Sequence, residues 1–156
     1  MSSSSNSAED IQIIPSNAFV YPLPAISLEK FDIGGVLYHA NYFHLLEQSR
    51  EALLAKSGTP YPSLVKKNQH LAIVTSKQEF LAPITYGQAI DIAVWASEVR
   101  KTSCILHYVL ITSVDSATVH LASTKLVFVS IKDSVFKITK FPEKLKNALD
   151  GISIKP

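Results

Sequence analysis

The chain predicts an α+β fold, one early helix wrapped by an antiparallel sheet of about five strands, and three observations predict it. From Tyr42 the apolar positions recur at three- and four-residue steps through Leu45, Leu46, Ser49 or Ala52, and Leu53, the period of a helix with one buried face. After residue 68 the pattern changes, and His70–Phe80, Ala89–Val99, Ser103–Thr112 and Thr118–Ile131 are rich in Val, Ile, Thr and aromatic residues. The joints between them, 83–88, 100–102 and 113–117, are short, so consecutive strands are expected to be antiparallel neighbours in a meander. A helix set early and strands set late are the pattern of an α+β domain.

Taken in order, residues 2–10 are serine-rich and carry no hydrophobic signal core, which predicts a disordered tail over 1–15, one domain over 16–150 and a short tail over 151–156. Phe19–Leu28 is strand-like but holds Pro22 and Pro24, which donate no ladder hydrogen bond, so an edge strand is expected. The helix covers about 40–57 and stops at Gly58, because glycine accepts the left-handed conformation that closes a helix. Glu47, Gln48, Arg50 and Glu51 fall mainly on its solvated side. Thr59-Pro60-Tyr61-Pro62 is a rigid turn, and Ser63–Asn68 is one short helical turn. Val135–Thr139 adds a final small strand, and Phe141–Leu149 a closing helix begun by Pro142.

Apolar residues make up 47% and charged residues 18% of 156, which excludes general disorder and leaves enough chain for one core. A formal charge of +2 with no basic run excludes a nucleic-acid coat. The single cysteine, Cys104, lies in an apolar run and reads as a buried structural thiol in a reducing, cytoplasmic compartment. No stretch has the length of a membrane span. His44, His70, His107 and His120 show no ligand spacing, so neither a metal nor a cofactor is expected.

The stretch Lys30–Arg50, KFDIGGVLYHANYFHLLEQSR, places an acid and two glycines directly before the helix. Gly34-Gly35 lets the backbone turn sharply, and the first N–H groups of the helix have no intrahelical acceptor. Together with the helix dipole those donors polarise a carbonyl or hold an oxyanion, with Asp32 at the edge of the same hollow.

Asp32-Ile33-Gly34-Gly35-Val36-Leu37-Tyr38-His39-Ala40-Asn41-Tyr42, followed by Glu47 and Arg50, resembles the D-x-G-G-V-V-Y-H-A-N-Y…E-x-x-R signature of hotdog-fold acyl-CoA thioesterases. Within them it is most similar to the 4-hydroxybenzoyl-CoA and Tol–Pal-associated groups. Residues 80–88 and Phe141-Pro142-Glu143 resemble the family's strand joint and closing helix, so the likeness covers about 19–150. It implies thioester hydrolysis with Asp32 as base or nucleophile and the N–H at His39 on the carbonyl oxygen. The His39 side chain and Glu47 are the further catalytic candidates, Glu47 as holder of a water. Gly35, Tyr38, Asn41 and Tyr42 are candidate substrate contacts, with Asn41 also a plausible helix cap. Arg100 and Lys101, with Lys66, Lys67 and Lys137, are candidates for the CoA phosphates.

The resemblance further implies an acyl-CoA substrate and a homodimer or homotetramer whose acyl tunnel lies between subunits, lined by residues such as Tyr42, Phe43, Leu46, Ile73, Phe80 and Trp95. The chain departs from the family pattern at Lys30, Phe31 and Gln88, and a cation at Lys30 would favour the charged form of Asp32 if the side chains meet. Two other readings stand beside hydrolysis. One is a hotdog dehydratase or hydratase using His39 with Glu47, and the other a non-catalytic acyl-binding module.

Overall fold

The computed structural model describes residues 14–155; the serine-rich segment expected as a tail lies largely outside them. The elements are β1 (Phe19–Pro22), α1 (Asn41–Lys56), α2 (Tyr61–Lys66), β2 (Gln69–Phe80), β3 (Ile90–Ser97), β4 (Ser103–Thr112), β5 (Thr118–Lys132), β6 (Val135–Ile138) and α3 (Glu143–Gly151), with a single 3-10 turn at Leu28–Lys30. Six strands form one antiparallel sheet in the order β1-β3-β4-β5-β2, and β6 pairs with the end of β5.

α1 forms because Tyr42, Leu45, Leu46, Ser49, Leu53 and Leu54 make one continuous buried stripe. It ends where expected: Gly58 takes φ +78°, and the Thr59 N–H donates to the Leu54 carbonyl at 3.0 Å. The sheet face beneath it is read off the alternation of β3, where Ile90, Ile92, Val94 and Ala96 join the core cluster with Leu45, Leu46 and Leu53. Trp95 has the opposite parity. It stacks on His107 at 5.5 Å on the face away from α1, so it lines nothing beside the helix.

The expected meander fails at one joint. β2 pairs with β5, Gln69 opposite Ser130 through Phe80 opposite His120, and not with its sequence neighbour β3. β2 ends and β3 begins at the same end of the sheet, so residues 81–89 cross past β5 and β4, three strand spacings or about 14 Å. A joint of that length spans the gap while the sheet curls around α1, with the Leu81 and Ala82 N–H groups both donating to the Val119 carbonyl on the way. Everything near Asp32 hangs from this crossover.

Three smaller expectations are also corrected. Arg50 is half-buried, and its guanidinium donates to the Tyr108 hydroxyl at 3.4 Å under the sheet, so it does not belong to the solvated face. Asn41 is the first helical residue and caps nothing with its side chain. After α3 the chain does not trail away: the Ala96 N–H donates to the Ile152 carbonyl and the Ile154 N–H to the Ala96 carbonyl, both at 3.0 Å, which fills the edge of β3 beyond the reach of β1. Cys104 is buried, and that burial pushes its thiol up to about 12, so it is inert as a nucleophile.

Candidate active site

Residues 30–38 form a small hairpin, closed by the Tyr38 N–H donating to the Lys30 carbonyl at 3.1 Å and the Asp32 N–H donating to the Val36 carbonyl at 2.9 Å. Its tip turns at Gly35, whose φ of +76° is costly for any residue with a side chain. The second limb lies on the crossover, with the Leu37 N–H donating to the Ile84 carbonyl at 2.8 Å and a bridge between Val36 and Thr85. Phe31 packs edge-on against Tyr86 at 5.5 Å, which gives the aromatic residue at position 31 a structural task.

Asp32 is exposed, and its Oδ1 accepts the Gly34 N–H at 2.8 Å and, more weakly, the Val36 N–H at 3.4 Å. The turn therefore engages one carboxylate oxygen and leaves Oδ2 without a partner among the described residues. Gly34 is needed for contact as much as for turning, because a Cβ there would stand 3.1 Å from Oδ1. Lys30 makes no ion pair with Asp32 among the described residues; its carbonyl instead accepts the Asn41 side-chain amide at 2.8 Å. That bond fixes the base of the hairpin to the first turn of α1.

The N–H groups of His39 and Ala40, immediately before α1, have no acceptor among the described residues. They stand at the positive end of a 16-residue helix dipole. The His39 ring is exposed and rests on Tyr38 at 4.4 Å, itself half-exposed. Asp32, Gly35, Tyr38, His39 and Asn41 are thus brought together by the hairpin and the helix start.

Other sequence candidates are placed elsewhere. Glu47 is the seventh residue of the same helix, eight positions after His39 and about 12 Å from it along the axis. It lines a groove of about 250 Å³ with His44 and Leu23–Ser27, which reaches Lys30 and Asn41 at the base of the hairpin. Arg100 and Lys101 follow β3 at the far end of the sheet, on the order of 25 Å from the crossover. Arg100 pairs with Glu98 at 3.4 Å on an exposed surface, where such a pair contributes little.

Below the helix start the structure adds a residue that sequence reasoning passed over. Phe80 and Gln78 share a face of β2, and His120 sits directly opposite Phe80 on β5, so all three turn toward α1. The His120 ring is fully buried, 4.4 Å from Tyr42 and 4.7 Å from Phe80. Its Nε2 is 3.0 Å from the Gln78 side-chain oxygen, and its Nδ1 has no partner among the described residues. Burial lowers its pKa to about 4, so the ring is neutral. The legible signal was its parity with Ala122, Thr124, Leu126 and Phe128, an inward position for a polar ring.

A sequence profile described as the thioesterase-like superfamily matches residues 26–149. The chain belongs to that superfamily. Acyl-CoA thioesterase YbgC of Helicobacter pylori is 26% identical over 131 residues, covering 80% of this chain and 95% of its own. Among solved structures, 1,4-dihydroxy-2-naphthoyl-CoA thioesterase from Synechocystis superposes with a TM-score of 0.77 at 16% identity, over 85% of this chain and 96% of the other. A 4-hydroxybenzoyl CoA thioesterase mutant complexed with 4-hydroxybenzoyl CoA gives 0.75 at 16%, over 86% and 99%. These likenesses make the curled sheet around α1 a hotdog fold, as the resemblance implied. No helix of this thioesterase-superfamily chain, among the described residues, is long and apolar enough to cross a membrane.

The buried imidazole makes stability pH-dependent with a definite sign. The unfolded chain protonates His120 near 6.5 and the folded chain only near 4, so between those values the unfolded state binds more protons. Its contribution is complete above pH 6.5 and is lost as pH falls toward 4, a change on the order of 3 kcal/mol. Urea titrations across that window should show wild type losing stability more steeply than His120→Phe; parallel slopes would mean the ring is not held neutral.

Proposed function

We propose that this member of the thioesterase-like superfamily hydrolyses an acyl-CoA thioester to a carboxylic acid and CoA, with Asp32 as base or nucleophile and the His39 and Ala40 N–H groups on the carbonyl oxygen. One observation carries the reading: the hairpin that holds a carboxylate with one unengaged oxygen is tied at its base to a helix start whose His39 and Ala40 amides lack acceptors among the described residues. With Asp32 as base, a water gives its proton to the carboxylate as its oxygen bonds to the carbonyl carbon. The developing oxyanion takes hydrogen bonds from the two amides. Collapse breaks the C–S bond, and the proton on Asp32 leaves with the sulfur as the thiol. With Asp32 as nucleophile, its carboxylate bonds to the carbonyl carbon as the C–S bond breaks and CoA leaves as the thiolate; water then cleaves the acyl–carboxylate anhydride, releasing the carboxylic acid, restoring the Asp32 carboxylate and giving its second proton to the thiolate.

The relatives' names support acyl-CoA as the substrate class. The roughly 12 Å between His39 and Glu47 along α1 disfavours the two as an acid–base pair for dehydration within one chain. The single buried cysteine supports a cytoplasmic setting.

The proposal includes a homodimer. The outer edge of β2 is unpaired in the single chain, and Ile73, Val74 and Phe80 on it are half-exposed or more. An unpaired edge of twelve residues with Ile73, Val74 and Phe80 open on it invites pairing with a second copy. Two-fold antiparallel pairing would bring the Gln69 end of one β2 beside the Phe80 end of the other. The partner's Lys66 and Lys67 then approach the Asp32 hairpin as phosphate contacts, a place that Arg100 and Lys101 of the same chain do not reach.

In a thiol-release assay across short, long and aromatic acyl-CoAs, Asp32→Ala and Asp32→Asn are each expected to lose about two orders of magnitude or more in kcat. Full turnover by Asp32→Asn would remove the carboxylate from the reaction. Gly34→Ala should lower kcat/KM about tenfold with little change in Tm, because its Cβ displaces the Asp32 carboxylate by a few tenths of an ångström; unchanged kinetics would show that the carboxylate's position is immaterial. Val74→Lys, a charge on the exposed bulge of β2, is expected to sediment as a monomer with reduced turnover. A dimer of unchanged strength would place the interface elsewhere.

A further inference from the structure

The hairpin of β5 and β6 has no task in the core or in the candidate active site. Asp133 and Ser134 form its tip at φ +50° and +63°, the left-handed pair of a two-residue turn, so the ribbon is tight and its register fixed. By that register Val129, Ile131, Phe136 and Ile138 share one face, and Ser130, Lys132, Val135 and Lys137 share the other. Val129 is buried, but Phe136 is 67%, Val135 65% and Ile138 62% exposed. Three large apolar side chains therefore stand in water on four residues of one strand.

Charge is concentrated on the same ribbon. Residues 132–140 carry Lys132, Lys137 and Lys140 against Asp133 alone, three charges against one for a net +2, which equals the formal charge of the whole 156-residue chain. All four side chains are exposed. The remainder of the chain is balanced, and Lys101, whose carbonyl accepts the Phe141 N–H at 2.9 Å, adds a further exposed cation beside the ribbon. The hairpin also stands clear of the open edge of β2. β2 runs along one side of β5, and β6 takes the other side where β4 leaves it beyond the Ser103–Val127 pair. Pairing of a second copy at β2 thus occurs across β5 from β6.

We propose that the hairpin of β5 and β6 docks this chain on the surface of an anionic phospholipid bilayer, with Phe136 and Ile138 entering the boundary between headgroups and acyl chains and Lys132, Lys137 and Lys140 on the lipid phosphates. The inference goes beyond the hydrolytic reading and does not rest on it. An aromatic and aliphatic face backed by a lysine-bearing one is the division of an element that lies in a membrane interface. β6 is an outer strand, so the lysine stems reach round its open edge and bring their ammonium groups to the plane of the phosphates. A second copy or another protein fits less well on two counts. Val135, Phe136 and Ile138 together expose roughly 300–400 Å², well short of the roughly 800 Å² per partner of a stable protein interface, and lysine is depleted from such interfaces. A bilayer has no such minimum, because each lysine near an anionic surface strengthens binding by about fivefold.

The test is co-sedimentation of the full chain with vesicles of phosphatidylcholine alone or of phosphatidylcholine mixed with phosphatidylglycerol. Wild type should bind the mixed vesicles about tenfold or more tighter than the neutral ones, and should lose most of that gain in about 0.5 M salt. Phe136→Ser, and the double variant Lys132→Glu with Lys140→Glu, should each weaken binding about tenfold or more with Tm unchanged, since all three side chains are exposed. Wild type that stays in the supernatant with both vesicles, or variants that bind as wild type does, overturn the proposal. Phe136→Trp reads the ribbon directly, because Trp95, the one tryptophan of the chain, is buried. Its emission should shift to the blue with mixed vesicles and not with neutral ones, and no shift overturns the proposal. A Phe136→Ser chain that sediments as a smaller assembly than wild type would give this face to a second copy and overturn it as well.

Discussion

The Lys30 carbonyl accepts two hydrogen bonds, one from the Tyr38 N–H across the hairpin and one from the Asn41 side chain at the first turn of α1. These two bonds convert a flexible loop into a bracket. The first sets how far Asp32 stands from the helix, and the second sets the angle at which the hairpin meets it. The other limb is fixed by Leu37 on Ile84 and Val36 on Thr85, so the bracket is held at both ends, by a helix and by the crossover. Exposed side chains usually vary in position, yet here an exposed carboxylate is aimed by backbone bonds alone. Catalysis by positioning needs such fixity, because a displacement of about 1 Å costs as much as a hundredfold in rate.

The parts of this arrangement that are local in sequence were legible in it. α1 was found within a residue at each end because its stripe and its closing glycine are both short-range signals, and β4 was found at its observed bounds because the joints beside it are true hairpin turns. The adjacency of Asp32 to the helix start was legible for the same reason, since a glycine pair between them leaves little chain to separate them. What was not legible depends on where distant segments meet. The 81–89 joint carries the same turn-like residues as the joints on either side of β4, but the sheet has curled, and its nine residues cross two strands where the joints of five residues turn back. Arg100 and Lys101 were grouped with the site because all the joints look alike in sequence, although successive joints alternate between the two ends of the sheet.

β2 shows how that topology bears on function. Its inner neighbour is β5, and its other edge carries unpaired backbone groups and apolar side chains, among them Phe80. Such an edge is normally blunted by charge or by proline, and Lys77 and Glu79 are its few charged residues. The same strand supplies Gln78 and Phe80 to the ring cluster under Tyr42. The strand with the open edge is therefore also the one whose Phe80 packs on Tyr42 in the first turn of α1.

The layering that results is chemically ordered. At the solvent end stand a carboxylate and two unpaired amides, suited to a polar reacting centre. Next come Tyr42 and Phe80, whose ring faces hold a flat apolar body without directing it. At the closed end one imidazole nitrogen lacks its bond. An apolar group gains from the middle layer alone, at about 25 cal/mol per Å² buried, and such a gain scales with size and not with identity.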